Sequence, residues 1–175
     1  MNRSPLIDSA IEILRQGEAL LNALDDESYT RRLPAVFTSA VGGHYRHCLD
    51  HFQCLLDGVA DGEVNYDHRR RDARIENDRR FALAETRRIQ EACEKIPPLA
   101  LELPLQVHCK VNYEGEAAPA TTSSFGRELM YAVAHAIHHY ALLSVMCGLL
   151  GVRVPFGFGL APSTLQHQAD QQKAA

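Results

Sequence analysis

The sequence has no tryptophan, no cysteine pair at C-x-x-C spacing and no excess of positive charge. Its 18 Lys and Arg residues against 22 Asp and Glu give a formal net charge of -4, which argues against a dedicated nucleic-acid-binding protein. The five cysteines are odd in number and scattered, so we expect reduced thiols rather than disulfides or an all-cysteine zinc site. These features favour a cytoplasmic protein.

Long hydrophobic runs are also scarce. The first sixteen residues lack the apolar core and small-residue cleavage site of a signal peptide, so we expect them to be retained. The most apolar stretch, residues 129–150, carries three histidines in its first half, and imidazoles are costly in lipid. We therefore expect a helix inside a soluble bundle and no membrane span.

Common catalytic signatures are missing too. The sequence has no H-E-x-x-H, no phosphate-binding glycine loop and no G-x-S-x-G elbow. The Glu-x-x-His pairs of carboxylate-bridged di-iron bundles are also absent, which argues against ferritin-like chemistry.

The apolar residues recur at helical spacing in four segments. With 175 residues and 46% hydrophobic content, the chain suits one domain, residues 1–175. The spacing predicts one helix from Pro5 to about Leu24 and, after a connector, a second from a cap at Ser39 to about Gly58. It predicts a third helix between a cap at Asp67 and residue 96, and a fourth over residues 125–150 that ends at Gly151.

A different pattern separates the last two helices. Residues near 99–122 alternate between apolar and polar, which predicts a small extended or β-hairpin insertion. The fold class is therefore all-α: a four-helix bundle over residues 5–150 that contains this insertion. The C-terminal tail, residues 151–175, has a short helix after Pro162 as its only expected element, and residues 166–175 are expected to be loose.

Six of the nine histidines form two clusters, and each cluster shares one helical face that continues into apolar residues. Each unpaired polar group in a core costs about 1 to 3 kcal/mol, so this many inward-facing imidazoles need partners. A lone histidine would be read as a hydrogen-bonded core or surface residue, but two facing clusters favour a divalent metal ion. The clusters are His44, His47 and His51 on helix two, and His135, His138 and His139 on helix four.

The motifs Gly43-His44-Tyr45-Arg46-His47 and His135-x-x-His138-His139 resemble the DinB-like superfamily, which includes YfiT-like hydrolases and thiol-dependent transferases. The resemblance covers residues 5–150 and implies a four-helix bundle regarded as a metal-dependent enzyme. It implies that His47, with the pair His135 and His139, holds a divalent transition metal, zinc or nickel before others.

The sequence departs from the common pattern of that superfamily. Tyr140-Ala141-Leu142 stands where Arg-Gly-Gln often follows the paired histidines, and the insertion is not typical. The extra imidazoles leave open whether His44 or His51 replaces or joins His47 as a ligand.

Other residues are candidates for roles around the ion. His51 and His138 are the candidate catalytic bases. Glu128 and Asp78 could orient a ligand ring or form plain salt bridges. In the arginine-rich run 66–80, Arg71 or Arg74 could clamp an anion, although a solvated face with ion pairs is the favoured interpretation. 

The resemblance implies metal-assisted hydrolysis, or transfer to a metal-activated thiol, on a small-molecule substrate, and the residues do not choose between the two. The first alternative is a non-enzymatic protein with a structural or regulatory metal site, which could lie at a homodimer interface. The second is a metal-free, stress-related bundle whose histidines satisfy one another.

Overall fold

The computed structural model describes residues 3–115 and 118–174, so the two ends of the predicted domain and part of the insertion lie outside the described residues. The strands are β1 (Glu63–Asn65), β2 (Pro104–His108) and β3 (Ala120–Ser124). Short 3-10 turns cover Tyr66–His68 and Pro98–Glu102. The helices in the described ranges are α1 (Pro5–Ala23), α2 (Asp26–Thr30), α3 (Val41–Gly58), α4 (Ala73–Asn77), α5 (Arg79–Glu94), α6 (Phe125–Leu149) and α7 (Pro162–Ala174).

The four long helices α1, α3, α5 and α6 form the bundle. Helices α1 and α3 each pack against both α5 and α6. Each long helix buries its apolar face in one shared core, as shown by Leu14, Leu49, Ile89 and Leu143, all essentially inaccessible to solvent. The predicted all-α four-helix bundle with a small insertion is confirmed.

Local sequence signals set the ends of two bundle helices where they were expected. The Ser4 hydroxyl caps α1, and Pro5 occupies its first turn. The Ser124 hydroxyl accepts the backbone N–H of Arg127 at 3.2 Å at the start of α6. Gly151, with a φ of +74°, follows the end of α6 in the left-handed conformation that glycine adopts most readily.

The prediction of one continuous third helix is wrong. Asp78 adopts extended backbone angles and separates α4 from α5. Its carboxylate accepts the N–H groups of Arg80 and Phe81 at 2.9 and 3.0 Å, so it caps α5 instead of continuing a helix from Asp67. The predicted apolar seam is nevertheless buried on both sides of the break, from Ile75 to Ile96.

Three smaller expectations also need correction. The connector after α1 contains the short helix α2, whose N-terminus is capped by Asp25 through the Ser28 N–H at 2.6 Å. Helix α3 begins after Ala40 without a side-chain cap, so Ser39 does not serve as one. The tail forms α7 rather than a loose segment, and side-chain hydrogen bonds such as Gln166 to Asp170 bridge its successive turns.

The insertion is a hairpin completed by a third strand. Strands β2 and β3 pair antiparallel, and β1 joins the other edge of β2 in parallel, with Val64 opposite Val107. Leu105 and Val107 are buried, as their alternation predicts. Because β3 runs directly into α6 and β1 runs directly into the 3-10 turn at Tyr66, the sheet fixes both segments relative to each other.

Helix α6 is, within the described residues, the one helix long and apolar enough to cross a membrane by length and composition. In this fold it is a bundle helix that packs against α1 and α3 and carries the second histidine cluster.

Two buried tyrosines, one on α3 and one on α6, stack on each other in the core. The rings of Tyr45 and Tyr140 are stacked with centroids 6.3 Å apart, and both are fully buried. The Tyr45 hydroxyl lies 2.8 Å from the Thr86 hydroxyl on α5. Gly17 of α1 faces the two tyrosine hydroxyls so closely that a Cβ there would overlap them. The close packing of α1 on the tyrosine pair therefore requires glycine at position 17.

Candidate metal centre

The packing of α3 on α6 brings three histidines together. Each of His47, His135 and His139 offers one ring nitrogen, and these three atoms lie within 4.8 Å of one another. Nε2 of His135 is 3.0 Å from Nε2 of His47. These are the three residues that the DinB-like resemblance implied.

The local sequence explains how two helices present one cluster. His135 and His139 are four residues apart, so they project from successive turns of one face of α6. Two small residues of α6, Ala132 and Ala136, are buried beside this pair. The three imidazoles remain only partly buried, so a ligand can reach them from solvent.

His51 lies deeper in the same cluster. It is 3% exposed, and its ring centroid is 4.1 Å from that of His135 and 4.8 Å from that of His47. Within the described residues, neither of its ring nitrogens has a hydrogen-bond partner. A buried imidazole in this state is a cost to the fold unless a bound group satisfies it.

His44 lies on the other side of the cluster. Its Nδ1 is 3.5 Å from Nδ1 of His139, and its ring packs edge-on against Phe37. It is not part of the three-histidine set. Contact with the second nitrogen of a ligand is the usual way in which a protein orients a metal-binding imidazole.

His138 is placed differently from the other five clustered histidines. Its side chain is exposed, and its ring meets the cluster only at His139, at 5.4 Å between centroids.

Burial keeps the cluster histidines neutral. Burial first, and then the neighbouring imidazoles and the charge of Arg69, lower the pKa of His51 to about 2. Burial and then the adjacent histidines likewise lower the pKa of His47 to about 3. Burial is also the main reason that the pKa values of His135 and His139 fall to about 4. Neutral imidazole is the form that binds a metal ion.

Two tyrosines pack against the cluster, and the sequence analysis did not identify them. The ring of Tyr66 lies 5.1 Å from His51, and Tyr131 lies 5.6 Å from His135. Tyr131 could have been found, since it stands one helical turn before His135. Tyr66 could not, because only the sheet brings its turn to the cluster.

Glu128 acts on the cluster through Tyr66. Its buried carboxylate accepts hydrogen bonds from the Tyr66 hydroxyl at 2.9 Å and from the Ser123 hydroxyl at 2.6 Å. It therefore fixes the tyrosine that packs on His51 instead of forming a salt bridge.

The other predicted acidic and basic candidates lie away from the cluster. Asp78 is exposed and caps α5. Arg74 is exposed, pairs with Asp72 at 2.6 Å and stacks on Phe81. Arg71 is exposed as well, in a positive-φ conformation. Arg74 is therefore part of a solvated, ion-paired face, which was the favoured interpretation.

The donor set fits a zinc-like ion. Zinc binds imidazole nitrogen at about 2.0 Å, so tetrahedral ligands lie about 3.3 Å apart. The 3.0 Å separation of the His47 and His135 nitrogens is close to that spacing. Three protein ligands leave one position for water or substrate, as in catalytic zinc sites.

Acid should destabilise the metal-free protein. The unfolded histidines have ordinary pKa values near 6.5, whereas His47, His51, His135 and His139 have lower values in the fold. The unfolded state therefore binds more protons below pH 6.5, and the free energy of unfolding falls as the pH falls. Each additional proton bound by the unfolded state lowers the free energy of unfolding by about 1.4 kcal/mol for each pH unit of acidification, and by less for the half-exposed rings. Urea titrations of chelator-treated protein between about pH 7 and pH 5 measure the slope.

The matched variant for this measurement is His51→Leu, which removes the most deeply buried of the four rings. In this variant the free energy of unfolding should depend less steeply on pH than in the parent protein. A free energy of unfolding that stays constant over the same pH range in the parent protein would contradict the prediction.

Comparisons with known proteins agree with this geometry at the level of fold. No protein-family model matches the sequence. A segment of 104 residues is 44% identical to a protein named FK506-binding protein 5 from Rhizopus delemar; it is 59% of this chain but only 27% of that protein. The crystal structure of a DinB-like protein, YjoA from Bacillus subtilis, superposes with a TM-score of 0.64 at 16% identity, over 89% of this chain and 99% of that one. The chain therefore has the DinB-like fold that its two histidine motifs indicated.

Proposed function

We propose that this protein is a cytoplasmic metal-dependent enzyme that acts on a small molecule. The observation that carries the proposal is the meeting of three neutral ring nitrogens from α3 and α6, within 4.8 Å of one another, beside the unpartnered His51. Three imidazoles and a free position are the ligand set of a catalytic zinc-type site. His47, His135 and His139 would hold the ion, with zinc or nickel the best suited to imidazole donors.

A divalent ion there would supply Lewis acidity, polarising a substrate oxygen and lowering the pKa of a bound water or thiol. The chain's own residues provide the rest of the chemistry. His51 is the candidate base, because its ring is neutral and buried beside the ligand histidines and has no hydrogen-bond partner among the described residues. His44 would orient His139, and Glu128 would keep Tyr66 against His51.

His138 would serve as a second base, which exchanges protons with solvent from its exposed position beside His139. This arrangement suits metal-assisted hydrolysis and transfer to a thiol equally well, since both need a polarised electrophile or nucleophile and a nearby base.

The rival proposal is a structural or regulatory metal site, including one at a homodimer interface. The proximity of His51 to both His47 and His135 favours it, because a fourth imidazole would close the coordination sphere. A closed site leaves no position for substrate.

Elemental analysis of untagged protein, purified without immobilised metal or chelator, tests the site. We expect about one equivalent of a transition metal in the parent protein. The double variant His135→Ala, His139→Ala should contain none, whereas His167→Ala, which removes an exposed histidine of α7, should retain it. 

Activity assays for hydrolysis and thiol transfer follow on the loaded parent protein. Absence of metal in the parent, with no uptake of added zinc, would overturn the proposal. One tightly held equivalent with four-nitrogen coordination in X-ray absorption, and no activity, would establish the structural alternative.

A further inference from the structure

Arg69 lies next to the histidine cluster. It directly follows the 3-10 turn Tyr66–His68, whose first residue packs its ring on His51. Its Nη1 donates a hydrogen bond to the backbone carbonyl of Tyr66, so the guanidinium is tied to that turn. The side chain is half-buried, and its charge is close enough to lower the pKa values of His47 and His51, after burial and the neighbouring imidazoles.

The Nε side of this guanidinium lacks an acceptor within the described residues. The Nε atom is buried and has no hydrogen-bond partner, and Arg69 forms no salt bridge within residues 3–115 and 118–174. Its neighbours in the arginine-rich run differ: Arg70 pairs with Asp57 at 2.9 Å, and Arg74 with Asp72 at 2.6 Å. A buried donor of a charged group is costly to leave unsatisfied.

The buried acid on this side of α3 does not supply the missing acceptor. Asp50 is 4% exposed, and its carboxylate is bound by Arg46 at 2.7 Å. Arg46 is in turn held by Glu76 at 2.8 Å. Arg46 is thus shared by two carboxylates, and the charge of Arg69 also acts on Asp50, whose pKa burial raises and the two arginines lower. Within the described residues no hydrogen bond or salt bridge joins Arg69 to Asp50, so the Nε edge of Arg69 stays free.

We infer that Arg69 is an anion-binding residue beside the metal centre, and that the ligand of this site carries an oxyanion group, a carboxylate or a phosphate. The inference rests on the proposed function for its view of the ligand as a substrate. With Nη1 engaged by Tyr66, the Nε and Nη2 donors form the planar edge that binds two oxygens of one oxyanion. The substrate would be held by this edge while its reactive part reaches the three ligand histidines.

The test uses acetate and inorganic phosphate as probes on metal-free protein, so that no metal ion can bind the anion. Each probe is titrated while the 15N–1H signal of the Arg69 Nε group is followed by NMR. That signal is identified by its loss in Arg69→Gln. We expect a saturable shift in the parent protein, and tighter binding of acetate or of phosphate decides which oxyanion the site prefers.

Variants separate Arg69 from the general charge of the arginine-rich run. Arg69→Gln should weaken anion binding at least tenfold, measured by calorimetry. Arg69→Lys keeps the charge but loses the planar edge. Its anion affinity should lie between those of the parent protein and Arg69→Gln. Arg80→Gln, which removes an exposed arginine on α5, should bind as the parent does.

Two outcomes would overturn the inference: no saturable shift of the Nε signal, or equal anion affinity in the parent and Arg69→Gln. Circular dichroism of Arg69→Lys and Arg69→Gln shows whether the variants keep the fold of the parent protein. The Nε titration of the parent protein decides the matter even if they do not. Zinc content is measured in parallel. Anion binding without zinc binding would contradict the proposed metal-dependent enzyme but support the anion site. Zinc binding without anion binding would contradict the anion site and leave the proposed enzyme standing.

Discussion

Zinc should raise the melting temperature of the metal-free protein by on the order of 10 °C. A ligand that binds only the folded state stabilises it by RT ln(1 + [L]/Kd), about 4 kcal/mol when zinc exceeds its Kd a thousandfold. For a protein of this size each kcal/mol shifts the melting temperature by about 2 to 4 °C. Differential scanning fluorimetry with and without zinc measures the shift.

The physical reason is the state of the cluster without an ion. The His47 and His135 nitrogens share a single 3.0 Å contact with each other. A metal ion would replace this contact with a bond to each of the three ligand nitrogens, and the unfolded chain cannot present the same set. The stabilisation should therefore be large for one bound ion.

The double variant His135→Ala, His139→Ala should show no zinc-dependent shift, while His167→Ala should show the full one. An unchanged melting temperature in the parent at saturating zinc would instead support the metal-free bundle, whose histidines satisfy one another and the backbone.

Replacing Gly17 by alanine should destabilise the fold by about 1 to 3 kcal/mol, the usual cost of overpacking a core. The new Cβ would overlap the hydroxyls of Tyr45 and Tyr140. Neither ring can move aside easily, because both are fully buried, they stack on each other, and Tyr45 contacts Thr86 at 2.8 Å. Urea unfolding of the two proteins measures the difference.

Gly148→Ala is the matched control, since Gly148 is also helical but has open space around its Cβ position. This change should be neutral or stabilising by up to about 1 kcal/mol, because alanine favours the helix over glycine. Equal effects of the two substitutions would contradict the packing argument.

Much of the fold could be predicted from local pattern. The four bundle helices follow from apolar spacing, and the ends of α1 and α6 follow from Ser4, Ser124 and Gly151. The break at Asp78 could not be predicted with the same ease. An aspartate is compatible with a helical interior and with a cap, and the tertiary position of α4 decides between them.

For the site, the spacing of the histidines was enough to predict which imidazoles share a face: His47 on α3, and the pair His135 and His139 on α6. Helical spacing is a local property, so one chain segment is enough to fix it. The spacing could not show that His51 is buried with no partner among the described residues while His138 is exposed. Nor could it show that Arg69, rather than Arg71 or Arg74, is tied to the turn that packs on His51. These outcomes depend on how α3 packs against α6 and on where the strands β1 and β2 place the turn after residue 65, contacts between segments far apart in the chain that no local pattern encodes.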